Sequence, residues 1–228
     1  MASAHFKPTL FRFLEELRRN NDRAWFAANK RRYEREVRDP MLDFIRDAAA
    51  PLAKISRELL ADPRPVGGSL FRIYRDTRFA KDKSPYKTHV AAQFRHRAGK
   101  DVHAPGFYVH LEPGGVFAGA GLWHPEPQAL QSVRRAIARR PAAWQKAIGA
   151  PAFRKQCRLE GEAAKRPPRG FDPTHPLIED LKRKDFVATA RFTQAEALAA
   201  AFLGRFIGFC QASAPLNAFL SRALEVAW

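Results

Sequence analysis

The sequence predicts an α+β protein: a central, mostly antiparallel sheet with N-terminal and C-terminal helices packed around it. Three observations point there. Apolar residues recur at three- and four-residue spacing over the first sixty residues and again after residue 125. Between these stretches, residues 69–122 alternate in polarity and are cut by Pro/Gly turns, as hairpin-linked strands are. The strand–helix–strand alternation of a doubly wound parallel sheet is missing. One domain over residues 1–228 is expected, with a helical part (1–60), a strand-rich part (69–122) and a second helical part carrying one strand (125–228).

Pro8 suits a first helical turn, and Leu10, Phe13, Leu14 and Leu17 form one apolar stripe behind it. Asn20-Asn21-Asp22 breaks that pattern and supplies N-cap side chains for a second helix. Phe26, Asn29, Tyr33 and Val37 share one face of it, while Lys30, Arg31, Arg32, Glu34 and Arg35 form a solvated face. Asp39-Pro40 reads as the N-cap and first residue of a third helix, with Met41, Ile45, Ala48, Leu52, Ile55 and Leu59 as its stripe. Pro51 is expected to kink or divide that helix. Asp62–Gly68 reads as a loop, and Ser69–Tyr74 and His89–Arg95 as strands.

Phe107, Val109 and Leu111 alternate onto one face, and Glu112-Pro113-Gly114-Gly115 turns the chain into a strand over Val116–Leu122. Gly119 and Gly121 within it suggest close backbone approach or a bulge. Helices resume near Pro125, with Leu130, Val133 and Ile137 on one stripe, and again over Ala142–Ile148. Residues 161–176 form a basic, Pro-rich connection before a late strand, Asp185–Phe192. Thr193 with Glu196 is a capping box opening a helix with Ala195, Leu198, Phe202, Phe206 and Phe209 on its stripe. Pro215 is expected to open a separate terminal helix containing Leu216, Phe219, Leu220 and Leu224.

Composition narrows function less than fold. Lys and Arg total 40 of 228 residues against 23 Asp and Glu, a formal charge of +17. Such a surface attracts polyanions at low salt, so nucleic acid is one candidate partner; compositional bias of an Arg- and Ala-rich chain explains the same number. Cys157 and Cys210 lie far apart, with no CxxC or Cys/His metal spacing, and read as buried, reduced thiols. Met1–Lys7 lacks the apolar core of a signal peptide, and no apolar run is long enough for a transmembrane helix. These features predict a cytoplasmic protein without a membrane partner.

The densest chemistry lies between Arg72 and Thr88. Arg72, Arg75 and Arg78 each present a planar fork that fits a carboxylate or phosphate. Lys81, Lys83 and Lys87 add point charges, and Asp76 and Asp82 can orient those cations or accept a proton. Tyr74, Phe79 and Tyr86 can pack against a base or sugar. Three readings stay open. In the first, the segment binds an anionic, phosphate- or carboxylate-bearing ligand, with Trp123 and Lys184 contributing. In the second, it is an enzyme site with Asp76 or Asp82 as base, Tyr86 or a lysine as acid, and arginines stabilising negative charge. In the third, the whole basic surface binds nucleic acid non-specifically. Against all three, Arg–Asp networks also serve simply to tie long loops to a sheet.

The string Arg75-Asp-Thr-Arg-Phe-Ala-Lys-Asp-Lys-Ser-Pro-Tyr-Lys-Thr88 resembles the signature of a bacterial and fungal family of uncharacterised proteins, a domain of unknown function. Phe13-Leu14 with Leu17, Asn20-Asn21, Trp25-Phe26, Tyr33, Tyr108-Val109-His110, Gly119-Ala-Gly121-Leu-Trp123, Pro168–Phe171 and Leu181–Phe186 are similar to the same family. The resemblance covers most of the chain and implies a cytoplasmic α+β domain with no established activity.

No cofactor is predicted. Gly119-Ala-Gly121 lacks the third glycine of a dinucleotide fingerprint, although the Trp123-His124-Pro125 helix start can hold an anion. P-loop and nucleophile-elbow motifs are absent. No metal site is predicted either. His5, His89, His96, His103, His110, His124 and His175 are scattered; His89 and His110 can meet across paired strands, but a site needs three or four converging ligands. Lys182-Arg183-Lys184-Asp185 reads as a cationic helix end.

Overall fold

The computed structural model describes residues 3–99 and 104–228 and shows an α+β architecture, helices packed around a six-stranded antiparallel sheet. The N-terminal helices are α1 (Pro8–Arg19), α2 (Arg23–Tyr33) and α3 (Asp39–Ile55). Strands β1 (Leu59–Leu60), β2 (Val90–His96), β3 (Gly106–Glu112) and β4 (Gly115–Leu122) follow. Then come α4 (Pro127–Arg139), α5 (Pro141–Gly149), α6 (Pro151–Gln156), β5 (Arg158–Glu160), α7 (Ile178–Leu181), β6 (Phe186–Phe192), α8 (Gln194–Ala197) and α9 (Phe202–Ala223). The sheet order is β1-β2-β3-β4-β6-β5, so both edges are strands of three residues or fewer.

Period-2 alternation divides the sheet into two faces. Phe94, Phe107, Val109, Leu111, Val116, Ala118, Ala120, Leu122, Phe186 and Ala188 point to one side and are buried. Helix α9 lies against that side and touches α3, α5 and α6 as well as β4. Its Phe206, Phe209, Cys210, Leu216, Phe219 and Leu220 are all buried. Full burial of each large apolar side chain contributes roughly 1.5–3 kcal/mol, so this layer dominates the stability of the fold. One core cluster runs from Phe6 in the N-terminal part to Leu220 in α9.

Local chemistry explains most boundaries. Pro8 occupies the first turn of α1, whose Leu10, Phe13, Leu14 and Leu17 are fully buried. The Asp22 carboxylate accepts the Trp25 amide at 2.9 Å and caps α2. Between α2 and α3 the expected break does not occur. Residues Glu34–Arg38 form a π-helical turn, and Asp39 donates its amide back to the Glu34 carbonyl. The helix thus widens by one residue and absorbs Pro40, which lacks an N–H. Pro51 likewise leaves α3 in one piece.

Two boundaries at the C-terminus differ from expectation. The Thr193–Glu196 capping box is present in both directions, but the helix it opens ends at Ala197. Pro215 sits inside α9 and does not begin a new helix. An internal proline costs about 3 kcal/mol; the buried rows on either side of Pro215 outweigh that cost. Ser69–Tyr74 is extended but makes only isolated bridges, Leu70 with Ala92 and Tyr74 with Tyr86. Segments α6 and β5 were not foreseen. The β3–β4 hairpin and its turn lie where the alternation placed them, with Phe107 opposite Ala120 and Glu112 opposite Gly115.

Gly121 has φ +119°, and a Cβ there would lie 1.9 Å from the Phe186 carbonyl oxygen on β6. Close approach of β4 to β6 therefore demands glycine at this position. Gly121→Ala is expected to lower stability by more than 1 kcal/mol, measured by chemical denaturation. Cys157 and Cys210 are free and buried, and burial pushes the Cys157 thiol up to about 12 and the Cys210 thiol well above its usual value. Neither thiol should react with a thiol-specific chromophore in the native protein, and both should react once it is unfolded.

Candidate functional site

Among the described residues, no helical layer covers the second face of the sheet. Its residues alternate with the core set: His89 and Gln93 at β2, Tyr108 and His110 on β3, Phe117 and Gly119 on β4, Thr189 and Arg191 on β6. Together with Phe71, Arg95, Trp123 and Glu160 they line a cavity of about 870 Å³. Two rows cross its floor. One runs Gln93–Tyr108–Gly119–Thr189, the other Ala91–His110–Phe117–Arg191. Gly119 interrupts the first row, so the floor between Tyr108 and Thr189 is bare backbone. A Cβ at Gly119 would meet only Tyr108, at an ordinary 3.7 Å. Aromatic rings stand on and beside this floor: Phe71 meets Tyr108 edge-on at 5.9 Å, and Phe117 stacks on His110 at 4.6 Å.

At one end of the floor, polar groups converge. The Tyr108 hydroxyl lies 2.9 Å from His110 Nδ1, and His110 Nε2 lies 3.3 Å from Glu112 Oε2. The Thr88 hydroxyl donates to the other Glu112 oxygen at 3.1 Å. The His89 ring lies 4.4 Å from that of His110. Burial, reinforced by His110, pushes His89 down to about 4, and burial also lowers His110. Burial pushes the Tyr108 phenol up to about 12. At neutral pH this end of the cavity therefore presents two neutral imidazoles and a neutral phenol beside Glu112.

The 72–88 segment flanks this cavity. Its charges largely satisfy one another. Arg78 grips Asp76 through Nε at 3.0 Å and Nη2 at 2.7 Å, and Arg75 pairs with Asp82. Asp82 also accepts the Ser84 amide at 2.9 Å. Hydrogen bonds from Arg78 and from Arg75, respectively, hold the Asp76 and Asp82 carboxyls below the usual range. Groups held in this way are poor proton acceptors at neutral pH and good orienters of the arginines they bind. Lys83 donates to the Thr77 carbonyl at 3.0 Å, while Lys81 is exposed. Lys87 donates to the Arg72 carbonyl at 2.8 Å, its ammonium 5.4 Å from the Phe71 ring centroid. Burial and the nearby Arg72 charge lower the Lys87 pKa.

Tyr86 packs inward. Its ring is buried and stacks on Phe26 at 4.1 Å, and its backbone exchanges two hydrogen bonds with the Asn21 side chain, each 3.0 Å. It pins the segment to α2. Arg75, Asp82, Tyr86 and Lys87 nonetheless share a smaller surface recess with His89. Trp123 is exposed at the cavity rim, with its ring edge-on to His124. Lys184 pairs at 3.0 Å with Glu162, which lines the cavity. Near it, the buried Asp185 carboxylate accepts the His124 amide at 2.7 Å and the Glu162 amide at 3.1 Å, tying the loops that leave β4 and β5 to the start of β6.

The 72–88 segment adjoins the cavity through Phe71 and His89 at its two ends, but none of its own residues lines it. The cavity floor, built from Gln93, Tyr108, Phe117, Thr189 and Arg191, was missed. The available signal was polar residues at every second position of the strands whose intervening residues form the core. His103 lies outside the described residues. No helix among the described residues is long and apolar enough to cross a membrane.

Fold and site define an α+β protein built on an antiparallel sheet with one face buried and the other hollowed into an aromatic-lined cavity. The chain belongs to a family of conserved hypothetical proteins (DUF2461), whose model matches residues 9–219. That match bears out the family resemblance seen in the sequence and brings no activity with it. No curated protein and no solved structure matches the chain.

Two aromatic residues of the 72–88 segment separate anchoring from exposure. Tyr86→Ala removes a buried stacked ring and should cost about 3–5 kcal/mol in chemical denaturation. Phe79→Ala removes a ring that is 95% exposed and should change stability by less than about 0.5 kcal/mol.

Proposed function

We propose that this chain binds a small organic anion on the open face of its sheet, with the basic 72–88 segment beside the site. The observation that carries the reading is the bare floor at Gly119 between aromatic rings. A flat ring or sugar can lie there against backbone, flanked by Tyr108 and Phe117. A concave, mainly apolar site with a few convergent polar groups is the usual form of a small-molecule pocket. Arg95 and Arg191 supply positive charge within the cavity, and Lys87 and Arg72 supply it in the adjoining segment. Arg75, Arg78, Lys81 and Lys83 add positive charge in the adjoining segment, with Asp76 and Asp82 orienting the two arginines. Gln93 and Thr189 add neutral hydrogen-bonding groups that fix a ligand's orientation.

The test uses nucleoside monophosphates, aromatic carboxylates and pyrophosphate in thermal-shift and calorimetric titrations. At least one aromatic or sugar-bearing anion should bind, and its affinity should fall tenfold or more in Gly119→Val, which fills the floor, and in Arg191→Gln. A β-branched residue suits the strand at this position, so Gly119→Val should fold normally. The opposite result is steeply salt-dependent binding of DNA or RNA that survives Gly119→Val and collapses in Arg75→Ala/Arg78→Ala. It would replace the small anion with a polyanion on the loop surface.

A further inference from the structure

We propose that His89, His110 and Glu112 form a binding site for one divalent first-row transition-metal ion, such as Zn²⁺ or Fe²⁺, at the end of the cavity beside β3. One ligand atom from each of the three lies within 4.8 Å of those from the other two. His110 Nε2 and Glu112 Oε2 are already 3.3 Å apart. Two donors each about 2.1 Å from a tetrahedral ion stand about 3.4 Å apart, so this pair is spaced for the same ion. For all three donors to reach one ion, the His89 ring has to move from its present contact with the His110 ring.

The surroundings of the three groups favour an ion over an ordinary polar cluster. Metal-binding imidazoles and carboxylates are usually oriented by a partner on the atom that faces away from the metal. Here the Tyr108 hydroxyl holds His110 at Nδ1, and the Thr88 hydroxyl holds Glu112 at Oε1. Both contacts leave the converging atoms, Nε2 and Oε2, facing each other. With Nδ1 carrying the proton and donating to the Tyr108 oxygen, Nε2 keeps a free lone pair for the metal. His89 is half-buried, and neither of its ring nitrogens has a hydrogen-bond partner among the described residues. Its ring nitrogens are therefore not committed to another described protein group and stand available to an ion.

Two nitrogens and one oxygen select Zn²⁺, Fe²⁺ or Co²⁺ over Mg²⁺ and Ca²⁺, which prefer all-oxygen sets. Three protein donors leave coordination positions open, and His89 and His110 both line the cavity, so those positions face it. Water or a donor atom of a bound molecule would complete the coordination. The site does not depend on the organic-anion reading, and the ion is titrated with no organic ligand present.

The experiment is calorimetric titration of Zn²⁺ into the chelator-stripped full chain, with Co²⁺ absorption spectroscopy reporting ligand type and geometry. The expected result is saturation at one ion per chain, Co²⁺ d–d bands, and no competition from excess Mg²⁺. Glu112→Gln keeps the shape and the Thr88 contact but removes the charge; it should weaken Zn²⁺ binding by at least tenfold with an unchanged melting curve. His89→Asn should do the same, and Tyr108→Phe should cost about tenfold through His110 orientation. Absence of one-to-one binding, or binding unchanged in both Glu112→Gln and His89→Asn, would overturn the proposal and leave the cluster as a packed stack of rings.

Discussion

The unequal treatment of the two sheet faces is the constraint from which the rest of this molecule follows. A strand sends alternate side chains to opposite sides, so a sheet that packs helices on one side only must find other residues for the second. Helix α9 takes up the apolar set from β3 and β4, and the N-terminal helices extend the same core. The opposite positions are thereby free of packing demands and carry Tyr108, His110, Phe117, Thr189 and Arg191. A one-residue slip in register would exchange the two sets and bury Arg191 and His110 in the core. The glycine at Gly121, where β4 approaches β6 too closely for a side chain, prevents that slip by fixing one strand against the other.

The fold was legible where a single residue pattern had one physical meaning. Phe107-Val109-Leu111, the Glu112–Gly115 turn and the capping box at Thr193 each describe a local structure that tertiary packing does not change. Legibility failed at prolines. Pro40, Pro51 and Pro215 each carry a local preference to end or begin a helix, and each lies inside a continuous helical run. Buried rows on both sides of Pro215 outweigh that preference, and the π-helical turn at Glu34–Arg38 accommodates Pro40. These are long-range or cumulative effects, and a local reading of dipeptides does not contain them.

The site was legible to a different degree. The charged run at 72–88 stood out because its residues are contiguous. The cavity floor did not, because its residues come from four strands and are neighbours only after the sheet has formed. His89 and His110 were recognisable as a pair conditional on strand pairing, yet Glu112 was assigned only to the turn that follows β3. It belongs to both: it closes the hairpin opposite Gly115 and points its carboxylate back along the row to His110. The 72–88 segment pairs much of its charge internally. Arg75, Arg78, Asp76 and Asp82 spend much of their hydrogen-bonding capacity on each other, and Tyr86, which looks like a stacking platform, stacks on the protein's own Phe26.

The very short border strands, Leu59–Leu60 and Arg158–Glu160, have a consequence for behaviour in a crowded solution. A sheet with an aromatic open face would be hazardous if its margins also offered a long row of unpaired amides and carbonyls, since another chain could dock there as an extra strand. Here each margin presents only a few backbone groups before the chain turns away. The protein can therefore display Tyr108, Phe117 and Trp123 without also offering a template for fibrous growth.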